Sequence, residues 1–567
     1  MTSPILSTRD RPLRPASPSD LLRAEAAVVP FSGRQKILLD LLNWCVAPSS
    51  IAVRLLTGTG GAGKTRLARE LARTMADSGW VAGFLLPDRS GEEMDLSALS
   101  STGTPVLLVV DYAETRGPQL ARLLSAVWDA SDIAPVRLLL LARNAGDWWT
   151  QLRLDYPDPL ATATVTPLTA LDTSTEDRAA AWQAALKALA ARLPDLDPGT
   201  DWQNLAETVT APPDLISDKY GSPLNLQVAA LTALLQAGPH PIAEPGDRSR
   251  EDVLLDHERR YWRRSASERH LNYQPDTLEL AVAAATLLGA STEQEATTIL
   301  ARVPGLQDQA LDTRLAVARW IADLYPTAHD QYWGALQPDE LGERLIVDTI
   351  ASHSDLINQL ADGASDSQAI HALYSLGRLL PREPELTSQL EALITVRFER
   401  LAPIALTVAF QMQGPALLAD AVIAAGKRAS IDHLLRALEQ LPKHDPTFVN
   451  VGAQLASEAV DRLRHAAERE PDTYQPMLAN ALTDLSMRLT QLSRLEEALS
   501  AAEESVAIDR ALAAIRPDEV TPDLARSLSN LASFLSDLGR TEEALAAVEE
   551  AARLFEQLDD RPSLGPR

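Results

Sequence analysis

The stretch IAVRLLTGTGGAGKTRLARELARTM, Ile51–Met75, decides the fold. Its apolar opening, Ile51–Leu56, reads as a strand buried on both faces. Its end, Arg66–Met75, has the residue types and spacing of a helix. Between them Gly58-Thr59-Gly60-Gly61-Ala62-Gly63-Lys64-Thr65 satisfies the pattern G-x-x-x-x-G-K-[ST] in the strand–loop–helix setting that pattern needs. The glycines let backbone N–H groups turn inward around a phosphate without Cβ clashes. Lys64 places a point charge on the β- and γ-phosphates, Thr65 offers a hydroxyl to Mg²⁺, and the helix N-terminus adds partial positive charge. The expected ligand is a nucleoside triphosphate, ATP with Mg²⁺, with Gly58 to Thr65 and Arg66 as its cradle.

A Mg²⁺-bound triphosphate needs an acid at the end of a neighbouring strand. The run Val106–Val110 ends in Asp111, which is expected to hold Mg²⁺ together with Thr65, directly or through a water. Glu114 lies three residues on and is either the group that orients an attacking water or a solvated loop residue. Tyr112 is read as packing. The run Val136–Leu141 ends in Ala142-Arg143-Asn144, so Arg143 at a strand tip is expected to face the γ-phosphate. Lys64, Asp111, Glu114 and Arg143 are the residues expected to carry any hydrolysis.

Working outward, Trp80–Leu86 and Thr162–Leu168 complete a set of apolar runs separated by helical spacers, the pattern of βαβ units around a parallel sheet. From Asp172 to Gly238 the chain reads as helical, with helices over Ala179–Leu193 and Leu224–Leu235, and Pro239–Pro245 reads as a linker. Glu251–Ile350 is a mainly helical block, and beyond Ser352 only helices are expected. Near the C-terminus Leu478, Leu482, Leu485, Leu489 and Leu492 recur 46 residues later as Leu524, Leu528, Leu531, Leu535 and Leu538. Glu496-Glu497-Ala498-Leu499 likewise returns as Glu542-Glu543-Ala544-Leu545. Such helical hairpins cannot cover their apolar face alone and therefore stack.

The repeats resemble the tetratricopeptide repeat. Leu531-Ala532, Gly539, Ala544 and Ala551 fall at its small and apolar packing positions, and Leu485-Ser486, Ser493, Ala498 and Ser505 occupy them in the earlier copy. The usual period is about 34 residues, so the longer spacing implies longer helices or an extended connection around Arg510–Pro522.

The order of elements resembles the STAND class of signalling NTPases, which includes the NB-ARC proteins. Val29-Pro30-Phe31-Ser32-Gly33-Arg34 looks like that family's leading motif, and the resemblance implies that Phe31 and Arg34 wrap an adenine. Gly221-Ser222-Pro223-Leu224 resembles the Gly-x-Pro motif of the helical lid, where Pro223 would pack on the base. The resemblance implies a winged-helix domain over Glu251–Ile350 and a repeat array as sensor. The family's Met-His-Asp motif has no clean match. Gln337-Pro338-Asp339 stands nearest in position but lacks the histidine, and Ala328-His329-Asp330 precedes Trp333.

The expected division is a disordered lead-in (1–27), a P-loop NTPase domain (28–172), a helical lid (173–245), a winged-helix-like domain (246–350), degenerate helical repeats (351–470) and tetratricopeptide repeats (471–567). The fold class is thus multidomain, an α/β P-loop domain with a parallel sheet followed by an α-helical solenoid. Only some 27 residues precede the leading motif, so an output is expected to run through a partner, an oligomer surface or another chain.

A net charge of −26 and a pI near 4.8 repel phosphate backbones and anionic lipid, which disfavours nucleic acid and membrane surfaces as partners. One cysteine, Cys45, excludes an intramolecular disulfide and a Cys-based zinc cluster. No apolar run reaches the roughly 18 residues needed to span a bilayer, and Met1–Ser19 lacks the apolar core of a signal peptide; a cytoplasmic protein is expected. Arg259-Arg260-Tyr261-Trp262-Arg263-Arg264 mixes cations and aromatics, as single-strand binders do, but a solvated helix face explains it as well. Trp148-Trp149 is read as domain packing. The leading functional expectation is an ATP/ADP switch, slowly hydrolysing, with a protein partner on the repeats and nucleotide-dependent self-assembly. A transcription regulator and a scaffold with a structural nucleotide site are the alternatives; a small-molecule kinase leaves the repeats unexplained.

Overall fold

The computed structural model describes residues 6–7, 15–86, 103–129, 134–170, 175–242, 248–326, 331–412, 416–441 and 446–559. The chain divides into two compact units, one reaching to Leu379 and the other beginning at Leu380.

In the first unit the five expected strands form one sheet with a short strand, β1 (Leu6–Ser7), from the segment expected to be disordered: β2 (Ile51–Thr57), β3 (Val81–Leu85), β4 (Val106–Val110), β5 (Val136–Ala142) and β6 (Thr164–Pro167) complete it, in the spatial order β1-β3-β4-β5-β2-β6. Only the short β1 runs antiparallel. Strands β4 and β5 are buried at every position, as a central parallel strand with both faces covered must be. One sheet face packs Val53, Leu55, Leu108, Val110, Leu138 and Leu140 against α3 (Gly117–Asp129) and α4 (Asp147–Asp155). The other packs Leu56, Leu107, Val109, Leu139 and Leu141 against α1 (Gln35–Cys45) and α2 (Lys64–Asp77). This order corrects one expectation. β4, which leads to Asp111, is not hydrogen-bonded to the P-loop strand β2; β5 is inserted between them. The insertion places Arg143, at the tip of β5, between the two.

Helices follow the sheet: α5 (Thr175–Arg192), α6 (Trp202–Thr208), α7 (Pro223–Ala237), α8 (Arg250–Glu268), α9 (Pro275–Leu288), α10 (Glu293–Leu300), α11 (Leu311–Leu324), α12 (Asp339–Ser352), α13 (Leu356–Ala361) and α14 (Asp366–Leu379). A single antiparallel bridge, Ala290 to Trp333, is the extended element described among α8 to α12. Ala328-His329-Asp330, the boundary at Asp172 and part of the linker read at Pro239–Pro245 lie outside the described residues.

The lead-in expected to be disordered is in part ordered. Ser19–Leu22 forms a 3₁₀ turn whose residues are all buried. The Ser19 backbone N–H donates to Glu258 Oε1 at 2.5 Å, Glu258 Oε2 accepts from Tyr325 Oη at 3.2 Å, and Arg69 of α2 pairs with Glu25 at 3.1 Å. Short polar residues look disordered in isolation; Ser19 is held by a carboxylate more than two hundred residues away in the chain, and Glu25 by an arginine 44 residues away.

Burial pushes the Glu258 carboxyl up to about 7, and nearby Asp20 adds to the rise. Between the ordinary value of 4.5 and about 7 the folded protein keeps a proton that the unfolded chain releases. This contribution to stability is therefore present at lower pH and lost as pH rises through that window. Thermal unfolding at pH 5.5 and pH 8 checks it. The loss between the two is expected to be smaller in Glu258→Gln, which still accepts from Ser19 but does not titrate.

In the second unit α15 (Leu386–Val396), α16 (Phe398–Gln411), α17 (Ala416–Gly426) and α18 (Ile431–Gln440) lead into five long helices, α19 (Pro446–Ala467), α20 (Pro471–Gln491), α21 (Leu495–Ile515), α22 (Pro517–Asp537) and α23 (Thr541–Asp559). The long repeat period is now accounted for. The helices themselves are long, 21 residues in each of α20, α21 and α22, and only Arg516 separates α21 from α22. The repeat extends to ion pairs, since Arg464–Glu504 and Arg510–Glu550 are related by the same 46-residue step.

The turns inside the hairpins differ in one residue. Gly539 has φ 75° and its counterpart Ser493 has φ 58°, in the left-handed region where a Cβ is strained. Ser493→Gly is expected to stabilise the second unit by roughly 1 kcal/mol, read as a higher denaturation midpoint with unchanged slope.

Candidate functional site

The P-loop leaves β2 and closes over the start of α2. Gly61 (φ 71°) and Gly63 (φ 90°) take left-handed conformations that a side chain resists. In this arrangement Lys64 Nζ donates to the carbonyls of Gly58 (2.5 Å) and Thr59 (3.1 Å) of its own loop. Burial lowers the Lys64 ammonium from its usual value, Arg143 lowers it further, and Asp111, Glu114 and Asp339 oppose the fall. Thr65 Oγ1 donates to Asp111 Oδ2 at 2.9 Å, so the two oxygens expected to hold Mg²⁺ are adjacent. Burial raises the Asp111 carboxyl, against hydrogen bonds from Thr65 and the Tyr112 backbone. The cradle and this donor set fit a Mg²⁺-bound phosphate chain.

Glu114 is not a solvated loop residue. It is buried, Oε1 accepts the Arg143 backbone N–H at 3.2 Å, and Oε2 has no hydrogen-bond partner among the described residues. Burial raises its carboxyl too. A buried carboxylate oxygen with a free lone pair, beside Asp111 and Lys64, can accept from a water. Arg116, a neighbour not singled out from the sequence, clamps the end of β3 by donating to the carbonyls of Leu85 (3.0 Å) and Leu86 (2.8 Å).

Arg34 is buried and donates to the carbonyls of Ala62 (3.3 Å) and Thr169 (2.6 Å), which ties the leading segment to the loop backbone. Phe31 lies under the Arg66 guanidinium, 5.9 Å from ring centre to charge. Ser222 caps α7 by accepting from the Asn225 backbone at 3.0 Å, and this cap sets α7 against the loop. A Cβ on Gly63 would lie 3.6 Å from Pro223, and one on Gly61 would lie 3.1 Å from Leu224. Gly58 to Thr65, Arg66, Phe31, Arg34, Pro223, Asp111, Glu114 and Arg143 therefore gather around one loop.

The first turn of α12 also reaches the loop. Asp339 Oδ2 accepts from Arg143 at 3.2 Å and from Arg378 of α14 at 3.2 Å, while the Tyr112 hydroxyl donates to the same carboxylate at 3.3 Å. Burial by itself would raise the Asp339 carboxyl; the Arg378 and Arg143 guanidiniums outweigh it and hold it below the usual range. Arg378 also pairs with Glu343. Glu340 comes close enough to the loop that a Cβ on Gly60 would meet its Oε1 at 2.7 Å. Sequence reasoning named Asp339 only as a positional counterpart and missed Glu340, Glu343 and Arg378. The available signal was two acids in the first turn after Pro338, with Glu343 following, a common feature of any helix N-terminus. Tyr112, read as packing, instead joins the carboxylate cluster.

The other candidates have structural explanations. Trp148 and Trp149 are buried in the sheet core. On α8, Trp262 is buried with its Nε1–H donating to Tyr325 at 2.6 Å, and Arg259 pairs with Asp256, Glu279 and Asp348. On the same helix Arg264 pairs with Glu268, and Arg260 and Arg263 donate to the carbonyls of His240 and Arg259. Cys45 is buried, and its thiol is pushed up to about 12 by desolvation. No helix of the described residues is long and apolar enough to cross a membrane.

Fold and loop together define a P-loop NTPase core followed by helical repeats. Residues 524–558 match the tetratricopeptide repeat family. Comparison with curated proteins gives no match. Among solved structures the chain is similar to a Signal Transduction ATPase with Numerous Domains (STAND) protein with a tetratricopeptide repeat sensor from Pyrococcus horikoshii, at 12% identity over 94% of this chain and 78% of that one, with a TM-score of 0.28. It is also similar to the ORC2 protein of Aeropyrum pernix, solved as ADPNP–ADP complexes, at 13% identity over 59% of this chain and 96% of that one (TM-score 0.26). The CDC6P of Pyrobaculum aerophilum gives 11% over 59% and 96% (TM-score 0.24).

Proposed function

We propose that the chain is a STAND-type switch that binds ATP or ADP at Gly58–Thr65, hydrolyses ATP slowly, and couples its nucleotide state to self-assembly. The observation that carries the reading is the contact of Arg143 with Asp339. The strand-tip cation suited to a γ-phosphate is neutralised by an acid from a helix 196 positions away in the chain. A γ-phosphate and the Asp339 carboxylate compete for the same guanidinium, so filling the site with triphosphate favours release of α12. Lys64 and Arg143 would hold the phosphates, Thr65 and Asp111 the Mg²⁺, and Glu114 would orient water; Mg²⁺ supplies charge neutralisation of the phosphate oxygens.

The lid role of α7 (within 173–245), the winged-helix-like role of 246–350 and the adenine contacts of Phe31, Arg34 and Pro223 belong to this proposal. So do a cytoplasmic location and a protein partner on the repeats. Light scattering after gel filtration tests it. A larger species with ATP and Mg²⁺, absent with ADP and in Lys64→Ala, is expected once the partner is present. A monomer under every condition removes the assembly half of the proposal. Tightly retained nucleotide with no turnover would favour the scaffold reading instead.

A further inference from the structure

The last described helix, α23, carries a second apolar face. On α23, Ala544, Ala547 and Ala551 are buried against α22, yet Leu545, Val548, Ala552 and Phe555 are exposed along the adjoining side, about a quarter turn around the helix. Their spacing of three, four and three residues makes one continuous stripe rather than scattered surface leucines.

The internal repeat says what such a face is for. One period earlier the same positions are Leu499, Ala502, Val506 and Asp509 of α21. There Leu499, Ala502 and Val506 share a buried cluster with Leu524, Leu528, Leu531 and Leu535 of α22, and Asp509 accepts from Ser527 of α22 at 2.7 Å. The stripe on α23 is thus the counterpart of a face that, one repeat earlier, is covered by a helix with leucines at steps of four, three and four. The charges repeat as well. Arg540, in the turn after α22, lies 3.9 Å from Glu503 and within the field of Glu496. Their counterparts Glu549 and Glu542 are exposed beside the stripe, and Glu556 continues the row at the same seven-residue step.

We propose that the Leu545–Val548–Ala552–Phe555 face docks an amphipathic helix of a partner protein, with leucines at the spacing of α22 and a cation after its last turn. The occupant differs from α22 at one position, since Phe555 in place of Asp509 calls for an apolar side chain where α22 has Ser527. A second copy of this face fits poorly: two α23 helices packed antiparallel would set their glutamate rows against each other in a chain of net charge −26. The proposal rests on the reading that the repeats bind protein, and it is independent of the nucleotide site.

The probe is a labelled synthetic peptide of residues 517–540 carrying Ser527→Leu, titrated by fluorescence anisotropy against the full chain. Saturable binding is expected. It should weaken about tenfold or more in Leu545→Glu and in Val548→Glu, whose exposed side chains leave thermal unfolding unchanged. Peptide bearing Arg540→Glu should bind several-fold more weakly, and the difference should shrink in high salt. No binding of the probe, or binding by the two chain variants as tight as by the parent chain, overturns the proposal. So does sedimentation showing a dimer of the chain that Leu545→Glu dissolves, which would assign the face to a second copy. None of these readouts depends on nucleotide, so failure here and failure of the switch are told apart by the unchanged response to ATP.

Discussion

Lys64→Ala is expected to reduce ATP affinity on the order of a hundredfold, the scale of removing a charged hydrogen-bonding group from a phosphate site. The fold should survive, because in this arrangement Lys64 bonds only the carbonyls of Gly58 and Thr59, at 2.5 and 3.1 Å. Those carbonyls lie in a loop that water reaches and can rehydrate, so the loss is about 1–3 kcal/mol. Isothermal titration with ATP and Mg²⁺, alongside thermal unfolding without nucleotide, separates the two effects. A variant that unfolds normally yet binds ATP like the parent would place the phosphate elsewhere. The nucleotide retained on purification serves as a second readout, since a chain lacking the lysine should carry none.

Asp339→Asn is expected to act in the opposite direction on the same site. The carboxylate neutralises Arg143 and Arg378 together, each at 3.2 Å, and it also accepts from Tyr112. Replacing it with an amide keeps the volume and removes the charge that competes with phosphate. ATP affinity should rise by roughly tenfold, within the usual range of coupling between two sites, and nucleotide exchange should quicken. Stability should fall at the same time, because partly buried Arg143 loses its counter-charge and Arg378 keeps only that of Glu343. Higher affinity with a lower unfolding temperature is the signature of a clasp. Lower affinity in a folded variant would mean that Asp339 supports the nucleotide rather than excluding it, and the competition argument would fail. In the double variant of Lys64 and Asp339 the effects should add, since each acts through a different partner: ATP affinity about tenfold below the parent, and stability no higher than in Asp339→Asn.

The same comparison separates the acids around the loop. Burial raises Asp111 and Glu114, but two guanidiniums hold Asp339 low. In the proposed function Asp111 would take a metal ion that brings its carboxyl down, and Glu114 would accept from water. Asp339 is already satisfied by protein. Three carboxylates that look alike in sequence thus differ in what they are free to do, and the difference comes from the strand or helix that delivers each one.

Local chemistry carried much of the reading. The strand, loop and helix around Gly58–Lys64–Thr65, the run ending in Asp111 and the 46-residue repeat are each written in contiguous residues whose period or spacing has one physical solution. They were legible without a partner in view, and so was Arg143 at its strand tip. The longer features were not. The order of strands depends on how crossovers pack, so the insertion of β5 between β4 and β2 could not be read from the runs themselves. Ser19–Leu22 looked like a polar lead-in because the Glu258 carboxylate that holds it is contributed from far along the chain. Helix length against connection length was undecided around Arg510–Pro522, because a proline at a first helical position and one in a loop look alike until the helix is seen to begin at Pro517.

By itself, then, the sequence determined that a phosphate-binding loop leads a parallel sheet and that stacked helical hairpins come after it, because both follow from interactions within a few turns of the backbone. Tertiary structure alone decided what stands over that loop. Asp339, Glu340 and Arg378 reach it only because α12 and α14 fold back onto the tip of β5, and a charge has no meaning for a site until the fold brings its counter-charge within about 4 Å.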